Sequence, residues 1–193
     1  MKTIVGFLSR SHGFNVLSNL ICSTEYKLLR VYTHALNPKS QDPNRTIRSD
    51  YDLFLEICDK NNIPICAIDS KNYEINDCPD CDYIIEVSWR YLIPEHITKK
   101  ARIAAFGIHR GKLPDYAGSE PIKQAILNNE HLITLSAHYL NNVIDKGDTI
   151  STLLHPVNYN HNESLDSNVQ RLRDEITPLF SQLMQQTFQI LNI

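Results

Sequence analysis

His109 and Asp145 are the two side chains of this sequence whose types and spacing best suit proton transfer. His109 follows the apolar run 103–108, and Asp145 follows 36 positions later (145 − 109) in the loop Asp145-Lys-Gly-Asp. A histidine titrates near neutral pH, and a neighbouring carboxylate orients it and stabilises its charged form. The pattern predicts an acid–base pair. The alternative is that Asp145 is only a turn residue, because Asp and Gly dominate turns.

The elements that would carry these side chains alternate along the chain. Short apolar, β-branched runs predict strands, and runs with a 3.6-residue apolar period predict helices. Strands are predicted at 3–8, 28–35, 63–68, 83–87, 102–108, 131–140 and 148–157, and helices at 12–23, 46–61, 93–100, 118–128 and 164–190. This order predicts an α/β fold: a Rossmann-like, mostly parallel sheet flanked by helices, with an antiparallel edge hairpin closed by a tight turn. The long C-terminal helix is expected to be capped by Ser164 and bent near Pro178.

Bulk properties limit the class of protein. A chain of 193 residues with 42% hydrophobic residues predicts one folded domain, 1–193. The formal net charge of −3 argues against a large basic nucleic-acid surface. No apolar run approaches the roughly 20 residues that cross a membrane, and the first apolar run ends too early for a signal peptide. We therefore expect a cytoplasmic protein without a membrane partner.

The five cysteines predict free thiols, because their number is odd and no signal peptide is evident. Cys78 and Cys81 form the only close pair. They precede a predicted strand, whereas a redox pair opens a helix, and no second pair or histidine has zinc-site spacing. The sequence therefore predicts no metal site, and the pair is interpreted as incidental.

Two further segments follow predicted strands, where parallel sheets bind ligands. Ser9-Arg10-Ser11-His12-Gly13 combines backbone donors, a helix N-terminus and an arginine, which suits an anion such as phosphate. An ordinary strand-to-helix turn is the alternative. Ser88-Trp89-Arg90-Tyr91-Leu92 holds the only tryptophan and predicts either a pocket for a flat ligand or packing under a loop.

Three separated motifs carry a resemblance to a known family. They are His109-x-Gly111-x-Leu113-Pro114-x-x-x-Gly118, then Ser136-Ala137-His138, then Asp145-x-Gly147. In order and spacing they resemble the signature of the formyltransferases that use 10-formyltetrahydrofolate. That superfamily includes the glycinamide ribonucleotide, methionyl-tRNA and sugar N-formyltransferases, and the segment around Trp89 is most similar to the sugar and tRNA branches.

The resemblance implies transfer of a formyl group from 10-formyltetrahydrofolate to the amine of a small substrate, such as a nucleotide-linked amino sugar. It implies that His109 transfers protons, that Asp145 holds His109, and that His138 supports the pair without touching the substrate. It further implies folate contacts at Trp89, Arg90, Tyr91, Leu92, Leu140, Asn141, Asn142, Val143 and Ile144. The acceptor is expected at Ser9, Arg10, Ser11, His12, Gly13 and Gly118.

One motif position departs from the family. Gly107 stands where the family has an asparagine that donates a hydrogen bond to the formyl oxygen. Loss of one such donor lowers a rate about a hundred- to a thousandfold. An alternative is therefore a weakened member that binds folate or a nucleotide without efficient transfer. A methionyl-tRNA formyltransferase-like protein or a non-enzymatic binding domain of the same fold is a further alternative.

Two expectations concern partners. The chain ends with the long helix, so no C-terminal accessory domain is expected, which argues against tRNA as acceptor. The sequence leaves a homodimer open.

Overall fold

A computed structural model describes residues 1–192 of the chain. These residues form two compact units, Met1–Ala105 and a second unit that begins at Phe106. The strands are β1 Lys2–Leu8, β2 Tyr26–Thr33, β3 Ile65–Ala67, β4 Cys81–Val87, β5 Ala101–His109, β6 Leu132–Tyr139 and β7 Thr149–Pro156. The helices are α1 Arg10–Ile21, α2 Tyr51–Lys60, α3 Glu95–Thr98, α4 Pro121–Leu127, α5 Leu165–Glu175 and α6 Thr177–Leu191. That residues 1–193 form a single domain, as the sequence indicates, stays a prediction.

The first unit is built on a parallel sheet. β1 pairs in parallel with both β2 and β4, and β3 pairs in parallel with β2. β1 is central, and its residues from Ile4 to Leu8 are buried. Buried apolar strands on both faces are typical of parallel sheets, because their crossover connections put helices on the faces.

The second unit contains the antiparallel strands. β5 pairs with β6, and β6 pairs with β7, both antiparallel. The full strand order is β3-β2-β1-β4-β5-β6-β7. This order confirms the predicted α/β class, a mostly parallel sheet with an antiparallel edge.

The C-terminal segment forms two helices where one was predicted. α5 ends at Glu175, α6 begins at Thr177, and Ile176 lies between them. Pro178 causes the break, because it lacks a backbone N–H and its ring clashes with the preceding turn of a continuous helix. Ser164 caps α5 as predicted, since its hydroxyl accepts from the Ser167 N–H at 3.1 Å.

Helix α2 begins later than predicted. Residues 46–50 are not helical, and Leu36 forms an isolated antiparallel bridge with Ile47. Arg48 therefore belongs to a loop, and its backbone N–H donates to the carbonyl of Ala35 at 2.8 Å. The prediction of a helix from Thr46 is wrong, because this local pairing replaces the first helical turn.

The β6–β7 connection is longer than the predicted tight turn and covers residues 140–148. Ala137 pairs with Ser151 and His138 pairs with Thr149, so β7 has one extra residue, Ile150, at this step. Such a bulge bends the strand that contains it and often lies beside a functional site. This bulge therefore lies directly opposite Ala137 and His138.

The described residues were searched for membrane-spanning helices and for groups of metal-ligating side chains. No helix within 1–192 has the length and apolar character to span a membrane. Over the same residues, no group of three or more His, Cys, Asp or Glu side chains is arranged to hold a metal ion. Cys78 and Cys81 are buried, and burial raises the pKa of both thiols, to about 11 and about 12.

Phe188 of α6 fixes the strand that carries His109. Its ring meets the ring of Phe106 in β5 edge-on, with centroids 5.8 Å apart, and both side chains are buried. We predict that Phe188→Ala lowers the free energy of unfolding by about 3–5 kcal/mol, because it leaves a cavity against β5. Ile190→Ala on the same helix, where Ile190 is 43% exposed, is the control and should change it far less. Urea denaturation measures both, and equal losses would contradict this account.

Candidate active site

The register of β5 and β6 gathers four residues of the motifs. His109 lies opposite Ser136, and Gly107 lies opposite His138. Side chains at alternate positions of a strand, and those directly opposite on an antiparallel partner, share one face of the sheet. One face therefore carries His109, Ser136 and His138 around the position where Gly107 has no side chain.

Both ring nitrogens of His109 face oxygen atoms. Nε2 lies 2.7 Å from the carbonyl oxygen of Tyr116, and Nδ1 lies 3.4 Å from Oδ2 of Asp145. A carbonyl oxygen only accepts, so Nε2 donates its proton to it. In the neutral ring Nδ1 then turns a lone pair toward the carboxylate. A second proton would be held between His109 and Asp145.

His138 repeats this arrangement from the neighbouring strand. Its Nδ1 lies 3.1 Å from the carbonyl oxygen of Tyr139, and its Nε2 lies 3.6 Å from Oδ1 of Asp145. Nε2 is buried and has no hydrogen-bond partner. Asp145 thus stands between two imidazoles, each tied to a backbone carbonyl by its other nitrogen.

The backbone around Asp145 is held in place by close contacts. Asp145 has φ +55°, a left-handed conformation that Asp tolerates better than most residues, and its Oδ2 accepts from the Gly118 N–H at 2.9 Å. Gly147 passes so near Tyr139 that a Cβ would lie 1.7 Å from the Tyr139 carbonyl oxygen. Only glycine fits there, which gives a physical reason for the Asp145-x-Gly147 spacing.

Burial keeps both histidines neutral. It lowers the pKa of His109 below its ordinary value, and Asp145 and the Tyr116 carbonyl partly offset this shift. Burial also lowers the pKa of His138, again partly offset by Asp145. A neutral imidazole beside a carboxylate can accept a proton at neutral pH and is then stabilised as the cation.

The loop between β5 and α4 covers the pair. The Ser136 hydroxyl donates to the Gly111 carbonyl at 2.9 Å, and the Tyr116 N–H donates to the Lys112 carbonyl at 2.8 Å. A Cβ on Gly111 would lie 2.7 Å from the Tyr116 carbonyl oxygen and 3.0 Å from His109 Nε2. The loop reaches His109 because residue 111 has no side chain. Sequence reasoning missed this contact, which depends on three-dimensional packing.

The predicted acceptor segment follows β1. Arg10, at the start of α1, has φ +61°. Ser9 is buried, and its hydroxyl accepts from the guanidinium of Arg48, a residue that sequence reasoning did not single out. Of the other residues in this segment, His12 and Gly13 are buried and Ser11 is exposed.

One predicted folate segment, 89–92, belongs to the first unit, and the other, 140–144, belongs to the second. In the first unit Trp89 stacks on His34, with ring centroids 4.0 Å apart, and Leu92 is 46% exposed. In the second unit Val143 and Ile144 are 58% and 56% exposed. Three large apolar side chains on the predicted folate segments are therefore open to solvent. The remaining members are the half-buried Arg90, Tyr91 and Leu140 and the exposed Asn141 and Asn142.

Within the second unit, then, His109, His138, Asp145 and Gly118 converge, although they lie on three separate segments of the chain. The arrangement is a candidate acid–base site on an α/β scaffold. A family model described as formyl transferase matches residues 9–183. The chain belongs to the formyl transferase family.

Individual relatives agree with this assignment. The chain is 25% identical over 169 residues to a methionyl-tRNA formyltransferase of Limosilactobacillus fermentum, which covers 81% of this chain and 50% of that protein. It is 25% identical over 177 residues to the methionyl-tRNA formyltransferase of Clostridioides difficile, covering 89% and 53% respectively. The chain thus spans about half the length of the curated relatives it matches.

Solved structures share the fold. Phosphoribosylglycinamide formyltransferase from Streptococcus pneumoniae TIGR4 has a TM-score of 0.66 at 16% identity, covering 97% of this chain and 99% of that one. A sugar 3N-formyl transferase, solved in the presence of dTDP and 5-N-formyl-THF, has a TM-score of 0.63 at 19% identity, covering 100% of this chain and 63% of that one.

Gly111→Ala tests whether the loop needs an empty position 111. We predict a loss of about 1–3 kcal/mol in the free energy of unfolding, because the new methyl group meets backbone atoms that cannot move aside cheaply. The pKa of His109 should fall further, since the Tyr116 carbonyl raises it. Denaturant unfolding and an NMR titration of the His109 ring proton measure the two effects. If neither quantity changes, the loop does not press on His109.

Asp145→Asn tests the shared carboxylate. Asp145 raises the pKa of both His109 and His138, so its neutralisation should lower both values together. Asp148→Asn removes the same charge from an exposed position in the same loop and is the control. NMR titration of the ring Cε1–H signals gives both pKa values. A shift of only one histidine, or an equal effect of Asp148→Asn, would contradict the shared arrangement.

Proposed function

We propose that this protein transfers a formyl group from 10-formyltetrahydrofolate to the amine of a small substrate, for which a nucleotide-linked amino sugar is the candidate. The observation that carries the proposal is the half-buried carboxylate of Asp145, 3.4 Å from His109 Nδ1, in a chain of the formyl transferase family. The activity of the whole protein is part of this proposal, because the chain spans about half the length of the curated relatives it matches.

The reaction requires a proton to leave one nitrogen and reach another. The amine nitrogen forms a bond to the formyl carbon, and the carbonyl oxygen takes up negative charge. The bond from the formyl carbon to the donor nitrogen then breaks. Overall, the attacking amine loses one proton and the leaving nitrogen gains one. A group that first accepts and then gives this proton accelerates both steps.

His109 is proposed to carry this proton. Its pKa is lowered by burial, so the ring is neutral and can accept at neutral pH. The negative charge of Asp145 then stabilises the imidazolium. In the described conformation Nε2 donates to the Tyr116 carbonyl, so the proposal requires this contact to open when the substrate binds. The ring proton must then lie on Nδ1, facing Asp145, so that Nε2 can accept the amine proton.

Within the second unit, the formyl donor is proposed to contact residues 140–144, where Val143 and Ile144 are exposed apolar side chains. Folate contacts at residues 89–92 of the first unit, where Leu92 is exposed, stay a prediction. Apolar surfaces of this kind suit a flat ring system. The reaction as proposed uses no metal.

A weakened member of the family is the second candidate, and two observations favour it. Gly107 lacks the side chain that would donate to the developing oxyanion, and the Tyr116 carbonyl covers His109 Nε2. Such a protein would bind the folate and transfer the formyl group slowly. The His138 imidazole lies opposite Gly107 in the register.

Turnover with 10-formyltetrahydrofolate and a panel of amino-sugar nucleotides tests the proposal. We predict formation of tetrahydrofolate and the N-formyl product, detected by mass spectrometry. His109→Ala should lower kcat/KM at least about a hundredfold, because it removes the proton carrier. His131→Ala, a change of an exposed histidine in the same unit, should leave it unchanged. Turnover that survives His109→Ala would sink the assigned mechanism.

Gly107→Asn separates the two candidates. If the weakened reading is right, the new amide restores an oxyanion donor and raises kcat about a hundredfold with little change in KM. If the protein is already an efficient enzyme, the same change brings no gain. Absence of turnover in both forms, with no thermal shift by folate, would reject both candidates.

A further inference from the structure

His34 is a buried histidine that the proposed proton transfer does not use. It directly follows Thr33, the last residue of β2, and it is 0% exposed. Buried polar side chains of folded proteins are hydrogen-bonded, so their partners indicate what they hold in place. The ring of His34 contacts two other segments of the first unit, the one that follows β3 and the one that follows β4.

The two ring nitrogens of His34 have different roles. Nδ1 faces the carbonyl oxygen of Ile68, and because a carbonyl oxygen only accepts, Nδ1 donates its proton to it. In this neutral tautomer Nε2 has a lone pair, and it accepts a hydrogen bond from the backbone N–H of Arg90 at 3.2 Å. One neutral imidazole thus joins the end of β3 to the segment that follows β4.

The surroundings of His34 keep this imidazole neutral. Its pKa is lowered to about 3, first by burial and second by the positive charge of Arg90. A protonated ring would have no lone pair left for the Arg90 N–H, because both of its nitrogens donate. The acceptor that holds Arg90 is therefore available throughout the neutral pH range.

Two aromatic rings of the segment after β4 pack on His34. Trp89 stacks on its ring with centroids 4.0 Å apart, and Tyr91 meets its ring edge-on at 5.2 Å. Ring pairs in these arrangements stabilise a structure beyond the effect of burial alone. With the Arg90 hydrogen bond, His34 contacts three consecutive residues, so it holds both the backbone and the side chains of this segment.

The segment after β4 has no regular structure of its own. Residues 88–94 belong to no helix or strand. The backbone N–H groups of Trp89 and Arg90 donate to side chains, to Glu86 Oε1 at 2.8 Å and to His34 Nε2. The position of the segment therefore depends on these two side chains rather than on the backbone bonds of a helix or sheet.

The chain around His34 is itself held in place. The carboxylate of Asp69 accepts from the backbone N–H of Ala35 at 3.1 Å. The Ile68 N–H donates to the Thr33 carbonyl at 2.8 Å. The chain on both sides of His34 is thus bonded to the end of β3. His34 is therefore the fixed partner, and the segment after β4 takes its position from it.

We propose that His34 is a positioning residue for the formyl donor: its ring holds residues 89–92 in the conformation that binds the folate. Contact of the folate with this segment rests on the proposed function. Leu92 in this segment is 46% exposed and open to such a ligand. A segment that is already in its bound conformation loses less conformational entropy on binding, so the folate binds more tightly.

Two substitutions separate the roles of the two nitrogens. Asn has its amide where Nδ1 of histidine stands, so His34→Asn keeps a donor near the Ile68 carbonyl and removes the acceptor for the Arg90 N–H. Gln has its amide one carbon further out, so His34→Gln keeps that acceptor. We predict that His34→Asn frees the segment and that His34→Gln largely rescues it. His96→Asn changes an exposed histidine of the same unit and is the control.

Binding of 5-formyltetrahydrofolate, measured by calorimetry without any amine, is the first readout. Its Kd should rise about tenfold in His34→Asn, the effect of a backbone donor left without its acceptor, and stay near the wild-type value in His34→Gln and His96→Asn. Hydrogen exchange of the Arg90 amide is the second readout and should be faster in His34→Asn than in His34→Gln. In a transfer assay, His34→Asn should raise the KM for the formyl donor with little change in kcat.

Equal folate affinity of His34→Asn and His34→Gln, or no folate binding by the unchanged protein, would overturn the proposal. If His34→Asn does not fold, His34→Phe takes its place, because a phenyl ring keeps the stack on Trp89 and removes both hydrogen bonds. Folate binding that weakens as expected, without transfer to any amine, would reject the proposed function alone. Transfer with an unchanged Kd in His34→Asn would reject the role of His34 alone.

Discussion

The carboxylate of Asp145 is the group on which the candidate active site depends. It faces His109 at 3.4 Å and His138 at 3.6 Å, and it accepts from the Gly118 N–H at 2.9 Å. One charge thus joins two strands and two loops of the second unit. Its effect is chemical as well as structural, because it partly offsets the burial that lowers the pKa of both histidines. Without it, two buried imidazoles would have no charge to stabilise their protonated forms.

The two units contribute different chemistry. The second unit has the groups that can hold and move a proton, and Gly111 allows its loop to close on His109. The first unit has buried side-chain donors without hydrogen-bond partners, among them Arg48 Nη2 and Arg90 Nε.

The sequence predicted the sheet better than it predicted the loops. Short apolar runs such as 83–87 are specified by local composition, and β4 Cys81–Val87 contains that run. Arg48 was missed because a helical pattern was assumed from Thr46, where an arginine would face solvent. The structure instead folds this segment back toward Ser9. The cover of Tyr116 over His109 was missed for a similar reason, since it depends on space around Gly111 that no sequence period encodes.

A crystal structure with 5-formyltetrahydrofolate bound tests the central claim most directly, because it locates the formyl group relative to the His109–Asp145 pair. The account predicts that the formyl group lies within hydrogen-bond reach of His109, with the Tyr116 carbonyl moved away from Nε2 and Asp145 still facing the ring. A folate bound elsewhere, with the Tyr116 carbonyl unmoved on His109, would contradict the account.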